Sequence, residues 1–245
     1  MRAAPPLVLV HGAFQTAGTW DLVVPRLEQA GRRVVVAALS GLEDTGEELT
    51  DAITLDTHVR DVLTVLHGEN LEGATLAGHS YAGMVITGVA EHAHDRISHL
   101  VYVDAFVPTH GQSALDLMPA PTREAFRTMA EHGGGWRLRS SDSLLDLWGL
   151  DDGAARTFVQ KRLCDFTIRC FDQPLDAPRR AGERLRRSYI ASVKQGYPAR
   201  AVFEPFAVRA QQEGWGYGEL PCGHDAQAEM PGAFCDLLLR LTAES

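Results

Sequence analysis

Short apolar runs alternate with longer segments in which apolar residues recur at every third or fourth position. The short runs are rich in β-branched or small apolar residues, which predicts strands buried on both faces. They span residues 7–12, 32–39, 74–78 and 99–106. The helical spacing predicts helices over residues 19–31, 55–66 and 80–93, with a polar loop over 40–52. This alternation predicts an α/β fold with a mainly parallel sheet covered on both faces.

The regular pattern is lost between residues 107 and 182 and then returns. Glycines, prolines and aromatic residues crowd this middle segment, which is too long for a simple crossover helix. Strands at 188–193 and 214–220 and an amphipathic closing helix follow. We therefore predict a core of residues 1–106 and 183–245. A cap of residues 107–182 is predicted over the carboxyl ends of the strands, where open α/β sheets bind ligands.

Composition narrows the classes of partner. The 245 residues carry a formal net charge of −9, which disfavours nucleic acid and anionic membrane surfaces as partners. No apolar run reaches the roughly 18 residues of a membrane span, and no secretion signal is predicted at the N-terminus. The four cysteines form no CxxC pair, so a reduced, cytoplasmic chain is the simplest interpretation. A homodimer is compatible with the sequence, which leaves the oligomeric state open.

The stretch "LAGHSYAGMV" (76–85) places Ser80 between a predicted strand and a predicted helix. A nucleophilic serine at such a junction needs a sharp turn, and the turn requires small residues two positions before and after it. Gly78 and Ala82 meet this requirement, so the GxSxG pattern is present as G-x-S-x-A-G. The alternative is a glycine-rich turn with an incidental serine. We predict that Ser80 is a nucleophile.

Two further loops supply the groups that such a serine needs. Acyl transfer develops negative charge on the carbonyl oxygen, which two backbone N–H groups stabilise. Tyr81, after the nucleophile, and Ala13, in "HGAF" (11–14), are the predicted donors, with Phe14 as the alternative to Ala13. In "LPCGHDAQ" (220–227), His224 follows the last predicted strand and is the predicted general base.

These segments resemble one known family. The stretches "LVLVHGAFQTAGTWDLVVPRLEQAGRRVVVAAL", "LAGHSYAGMV", "YVDAFVP" and "GHDAQAEMPGAF" are similar to the α/β-hydrolase superfamily, in particular to plant methylesterases, hydroxynitrile lyases and their bacterial relatives. The resemblance covers nearly the whole chain. It implies an α/β-hydrolase fold, a Ser-His-Asp triad, a helical cap, no cofactor and small-molecule esters as substrates.

The chain departs from the superfamily pattern at the third member of the triad. The usual acid follows the strand before the last, where this chain has Lys194 and Gln195, and no acid occurs between Glu183 and Glu204. Asp104, at the end of "HLVYVD", is the predicted substitute, as in some members of the superfamily. Asp225 and Glu204 are the rival candidates.

The resemblance leaves other chemistries open. Lyases of this family carry threonine in the first loop and lysine after the histidine, where this chain has Gly12 or Ala13 and Asp225. Epoxide hydrolases of the superfamily generally use an aspartate nucleophile. We therefore predict hydrolysis of a small carboxylic ester or lactone. A non-hydrolytic protein that performs epoxide opening, elimination or cyclisation, or only binds a small molecule, is the alternative.

Pocket walls and metal sites are less well specified by the sequence. Phe14 and Tyr81 adjoin the motifs and are predicted to contact substrate, as are Trp136 and Trp148 in the cap. The cap aromatics could equally form the cap's own core. Three histidines in "EHAHDRISH" (91–99) lack the HExxH spacing, so no metal site is predicted, and no phosphate-binding glycine motif follows a strand.

Overall fold

A six-stranded parallel sheet forms the centre of the molecule. The structure, a computed structural model, describes residues 4–42 and 46–243. Its strands are β1 (Leu7–Val10), β2 (Val34–Ala37), β3 (Ala74–His79), β4 (Ile97–Val103), β5 (Arg137–Leu138), β6 (Phe166–Thr167), β7 (Arg186–Ser192) and β8 (Gly216–Leu220). The central sheet has the order β2-β1-β3-β4-β7-β8, while β5 and β6 form a separate antiparallel pair. All carboxyl ends of the central strands therefore lie on one edge of the sheet.

Helices cover both faces of this sheet. The α-helices of the described residues, of which α4 to α8 belong to the segment between β4 and β7, are α1 (Val24–Gln29), α2 (Leu55–Gly68), α3 (Ala82–Ala93), α4 (Ala114–Leu117), α5 (Ala120–His132), α6 (Asp142–Leu147), α7 (Ala154–Gln160), α8 (Ile168–Asp172), α9 (Arg200–Gln212), α10 (Ala226–Glu229) and α11 (Pro231–Thr242). Successive strand residues face opposite sides. Leu7 and Leu9 belong to one core cluster with Phe234, whereas Val8 and Val10 belong to another with α2 and α3. Alternate residues of an apolar strand therefore belong to different cores, and both faces of the sheet are buried.

The segment between β4 and β7 contains the small elements that lie over the carboxyl edge. We call residues 107–182, the predicted cap, the cap segment. It holds α4 to α8 and the β5-β6 pair. Phe126 and Phe171 of this segment pack against Phe14 in the loop after β1, with ring centroids 6.0 and 6.3 Å apart. Within the described residues, no helix is long and apolar enough to cross a bilayer.

The structure differs from the sequence predictions at two helices. The helix predicted over 19–31 is divided into a 3-10 turn, Ala17–Trp20, and α1, because Pro25 sits in the first turn of α1, where its missing N–H is tolerated. Helix α9 was not predicted. Pro205 lies inside it, and a proline normally argues against a helix interior. The spacing of its buried residues could nevertheless have revealed it: Val202, Phe203, Phe206, Ala207 and Ala210.

Gly83 lies where two backbone segments approach each other closely. Any side chain at this position is therefore expected to destabilise the fold. A Cβ atom at Gly83 would overlap with the carbonyl oxygen of Phe106. Gly83→Ala is therefore expected to lower the free energy of unfolding by about 1–3 kcal/mol, measured by urea denaturation. Gly68→Ala is the matched control, because Gly68 also lies in a helix and its Cβ would meet nothing within 4 Å. Equal stability of Gly83→Ala and the wild type would contradict this packing.

Candidate active site

Ser80 lies on a sharp turn between β3 and α3. Its φ angle is 58°, in the left-handed region that non-glycine residues seldom adopt. A Cβ at Gly78 would come within 2.8 Å of the Ala82 carbonyl oxygen, which explains why the position two before the serine is glycine. Ser80 N–H donates to the Val103 carbonyl at 3.0 Å, and Phe106 N–H donates to the Ser80 carbonyl at 3.2 Å. The end of β4 therefore supports the turn on both sides.

Backbone strain is concentrated around this turn. Five non-glycine residues of the described chain have positive φ, and three of them are Phe14 (62°), Ser80 (58°) and Asp104 (41°). All three follow a strand of the central sheet at its carboxyl edge. Such conformations cost about 1–3 kcal/mol each and occur preferentially at functional sites. The strain thus marks the same edge of the sheet that the motifs indicate.

The structure brings Asp104 and His224 together. Asp104 directly follows β4, and His224 lies in the loop between β8 and α10. His224 Nδ1 donates to Asp104 Oδ2 at 2.7 Å, and both side chains are buried. Among the residues that the structure describes, the other imidazole nitrogen, Nε2, has no hydrogen-bond partner, and Ser80 lines the same cavity as His224. Within the described residues no direct hydrogen bond joins Ser80 to the imidazole, a contact that is often longer in ligand-free enzymes.

The loop after β7 holds the carboxylate of Asp104. Tyr197 Oη donates to Asp104 Oδ2 at 2.6 Å, and Ser192 N–H donates to Oδ1 at 3.3 Å. Lys194, in the usual slot of the acid, turns away: its Nζ donates to the Gly149 carbonyl at 2.7 Å and pairs with Asp151 at 2.6 Å. Asp104 therefore has three donors, one from the end of β7, one from the loop after β7 and one from the loop after β8.

The two rival acids lie elsewhere. Asp225 Oδ1 accepts hydrogen bonds from Gln15 at 2.6 Å and Gln227 at 3.0 Å, and Asp225 makes no hydrogen bond to the His224 ring in the described part of the chain. Burial raises the pKa of Asp225 above its usual value. Glu204 pairs with Arg200 on the surface of α9 at 3.1 Å.

Aromatic rings and one buried histidine surround His224. The Phe203 ring, from α9, stacks on the imidazole at a centroid distance of 4.6 Å and an angle of 15°, and the Trp148 ring lies 5.9 Å away. His79 Nε2 donates to the His224 carbonyl at 3.0 Å. Burial, followed by the charge of His224, lowers the pKa of His79 well below its usual value, so His79 stays neutral. These contacts restrict the loop that carries the predicted base.

The predicted oxyanion donors have unused N–H groups. In the part of the chain that the structure describes, the backbone N–H groups of Ala13, Phe14 and Tyr81 donate no hydrogen bond. Ala13 and Phe14 line the cavity beside Ser80. The Tyr81 N–H is on the residue directly after the serine. An oxyanion above Ser80 could therefore use Tyr81 together with Ala13, or with Phe14 as the alternative.

An apolar cavity lies above Ser80. Its volume is about 40 Å³, room for a few water molecules. A substrate therefore requires neighbouring side chains to move apart. The lining is apolar apart from Ser80, His224 and Thr122; the remaining residues are Ala13, Phe14, Phe106, Met118, Phe126, Leu147, Trp148, Phe171, Ala199, Val202 and Phe203.

Two of the four predicted substrate contacts line this cavity and two do not. Phe14 and Trp148 are part of its wall. The Tyr81 side chain is fully buried behind it, where its hydroxyl lies 3.1 Å from His58 Nδ1. Trp136 lies outside the cavity, with the Arg137 guanidinium 5.0 Å from its ring centroid. The predicted wall positions of Tyr81 and Trp136 therefore do not fit, because a sequence position near a motif does not specify where a side chain points.

Three consecutive carbonyl groups connect the cap segment to the predicted catalytic loops. The Leu147 carbonyl accepts from Ala199 N–H at 2.9 Å, and the Trp148 carbonyl accepts from His224 N–H at 2.9 Å. The Gly149 carbonyl accepts from Lys194 Nζ. We call residues 147–149 the docking strip. It binds the loop after β7 and the loop after β8 together.

The histidine-rich segment has structural contacts. His99, in β4, lies 2.9 Å from the Ser188 hydroxyl through its Nε2, and burial lowers its pKa to about 4. Among the described residues, no group of three or more histidine, cysteine or acidic side chains is placed to hold a metal ion.

Several residues of the site were missed by the sequence analysis. Tyr197, Ser192 and Phe203 contact the predicted triad, and Phe106, Met118, Phe171 and Val202 line the cavity. The apolar residues carry no motif that distinguishes them from core residues. Tyr197 had a usable signal, because it lies in the loop where the usual acid is missing.

Comparison with known proteins identifies the family. The model of the alpha/beta hydrolase family matches residues 7–237. A carbendazim hydrolyzing esterase of Nocardioides sp. is 33% identical over 242 residues, 96% of this chain and 98% of that protein. Methylesterase 2 of Arabidopsis thaliana is 32% identical over 154 residues, 62% of this chain and 54% of that protein.

A solved structure agrees with this result. An extracellular alpha/beta-hydrolase from a Paenibacillus species has a TM-score of 0.83 at 22% identity, with 98% of this chain and 100% of that chain covered. At this identity the likeness shows the fold alone. The α/β-hydrolase fold and the resemblance to methylesterases and their bacterial relatives, both predicted from the motifs, are confirmed. The chain belongs to the alpha/beta hydrolase family.

Proposed function

We propose that this chain is a serine hydrolase that cleaves small, uncharged carboxylic esters. The observation that carries the proposal is the buried His224–Asp104 hydrogen bond of 2.7 Å beside the strained Ser80 turn. Two relatives support the same class of reaction through their names, a carbendazim hydrolyzing esterase and a methylesterase. The apolar cavity favours an uncharged substrate, because a charge would lose its hydration there without a partner.

The proposed mechanism assigns one role to each group. His224 Nε2 takes the proton from Ser80 Oγ, and the oxygen attacks the ester carbonyl. The N–H groups of Tyr81 and Ala13 stabilise the oxyanion, and His224 returns the proton to the leaving alcohol. Water then attacks the acyl-enzyme with His224 again as base. Asp104 orients the imidazole and stabilises its positive charge.

A non-hydrolytic protein was the alternative because the usual acid is missing. The Asp104 hydrogen bond to His224 supports hydrolysis over that alternative, because it offers the imidazole an acid from another strand. Lyase chemistry is also disfavoured, because the residue after the histidine is Asp225, where lyases of this family carry lysine.

Covalent labelling of Ser80 distinguishes a serine hydrolase from a non-hydrolytic protein. We expect a fluorophosphonate to add once, at Ser80, as located by mass spectrometry of the digested protein. We also expect a burst of p-nitrophenol from p-nitrophenyl acetate, since an acyl-enzyme accumulates when deacylation is slower. Methyl esters of aromatic acids and carbendazim complete the substrate series. A folded protein that is never labelled and hydrolyses none of these compounds would contradict the proposal.

A further inference from the structure

Tyr197 lies where the missing acid would be expected, in the loop between β7 and α9. It is 3% exposed, and its hydroxyl donates to Asp104 Oδ2 at 2.6 Å. The same oxygen accepts the His224 Nδ1 proton at 2.7 Å. Tyrosine and imidazole therefore meet at one carboxylate oxygen, and both hydrogen bonds have the short length of bonds to a charged acceptor.

The remaining support of the carboxylate is weak. Oδ1 accepts only the Ser192 N–H, at 3.3 Å, within the described residues. Asp104 itself occupies a strained backbone position with a φ angle of 41°. A short side chain on a strained backbone, held at one oxygen by a long hydrogen bond, can rotate about its χ2 angle. The Tyr197 hydroxyl is thus the strongest contact, besides His224, that defines the plane of this carboxylate.

The hydroxyl stays a donor at every pH at which an esterase works. Burial, and next the negative charge of Asp104, raises the pKa of Tyr197 above its usual value. Tyr197 is not among the described residues that line the cavity beside Ser80. Its influence on the reaction must pass through Asp104.

We propose that Tyr197 is a positioning residue, which orients Asp104 so that Oδ2 faces His224 Nδ1. This inference rests on the proposed function. It predicts that the hydroxyl contributes to turnover and leaves substrate binding unaffected.

Removal of one oxygen atom tests the inference. Tyr197→Phe is expected to lower kcat for p-nitrophenyl acetate by about 10- to 100-fold, the effect of one hydrogen bond to a charged group, with KM unchanged. Tyr102→Phe is the matched control. Tyr102 is also buried, but its hydroxyl lies 2.9 Å from the Thr87 hydroxyl in α3 and makes no hydrogen bond to the Asp104 carboxylate among the described residues. Its kcat should stay within a few-fold of the wild type.

A double-mutant cycle separates positioning from general structural support. In the Asp104→Asn background, Tyr197→Phe should have no further effect on kcat, because it acts only through the carboxylate. The same fold loss in both backgrounds, or an unchanged kcat in Tyr197→Phe alone, would overturn the inference.

NMR of the wild-type protein gives a test that needs neither a stable variant nor activity. The two donors lie within 2.7 Å of the same oxygen. We therefore expect a nuclear Overhauser effect between the His224 Nδ1 proton and the Tyr197 ring protons. Absence of this effect, with the His224 proton observed, overturns the inference. A wild-type protein that shows the effect but hydrolyses no ester would refute the proposed function and leave the contact in place.

Discussion

Replacement of Ser80 by alanine is expected to lower kcat for p-nitrophenyl acetate by about 10⁶-fold, the size of loss seen when a serine protease loses its nucleophile. The reason is that the described cavity lining holds one other hydroxyl, Thr122, which lies in α5 of the cap segment and not on the strained turn after β3. Steady-state kinetics with concentrated enzyme measures the residual rate.

The fold of Ser80→Ala should be unchanged, because alanine has less bulk at the same strained position. Thermal unfolding monitored by circular dichroism provides that control, and Ser98→Ala, at an exposed position of β4, controls for loss of a hydroxyl elsewhere. Retention of most of the esterase activity in a folded Ser80→Ala protein would mean that the nucleophile is elsewhere.

The second large effect is expected at Asp104. Asp104→Asn should lower kcat by about 10⁴-fold, because an amide favours the wrong tautomer of the histidine and cannot stabilise the imidazolium. Hydrolysis of p-nitrophenyl acetate measures this loss. Fluorophosphonate labelling of Ser80 should slow in parallel, since it depends on the same base.

The rival acids provide matched controls. Asp225→Asn preserves the acceptor for Gln15 and Gln227, and Glu204→Gln removes only a surface ion pair. The kcat of both variants should remain within about 10-fold of the wild-type value. The loss of a surface ion pair has only a small effect, which lies inside this range. A larger loss in either control than in Asp104→Asn would assign the acid to that residue instead.

Local sterics explain why much of the site could be predicted from the sequence. The Ser80 turn requires small residues two positions before and after the serine, and the close approach of Gly78 to the Ala82 carbonyl is the physical cause at the first of these positions. Parallel strands buried on both faces also have a clear apolar signature, as in β1 and β3. These features depend on residues that are neighbours in the chain, so a short stretch of sequence is enough to predict them.

Contacts between residues that are far apart in the chain were harder to predict from the sequence. Asp104 could be nominated only because the usual slot held Lys194, and its partner Tyr197 has no motif of its own. Phe203, which stacks on His224, belongs to α9, whose internal Pro205 conceals the helix. Trp136 and Trp148 are equivalent in sequence terms, yet only Trp148 lines the cavity. Tertiary packing decides these cases, because it brings into contact residues that are 21 positions apart, as Phe203 and His224, to 120 positions apart, as Asp104 and His224.

The docking strip has a consequence for how the pocket can change. Its three carbonyl groups hold one side of the cap segment against the loops that carry His224 and Lys194. Opening by rotation of the whole cap segment would break all three bonds together, so entry of substrate should depend on the part of the cavity wall outside the docking strip and its bound loops, which includes Met118, Thr122 and Phe126. Substitutions in that wall can therefore alter which esters enter without disturbing the alignment of the proton-transfer groups. Substrate range and chemical competence can thus vary independently in this molecule.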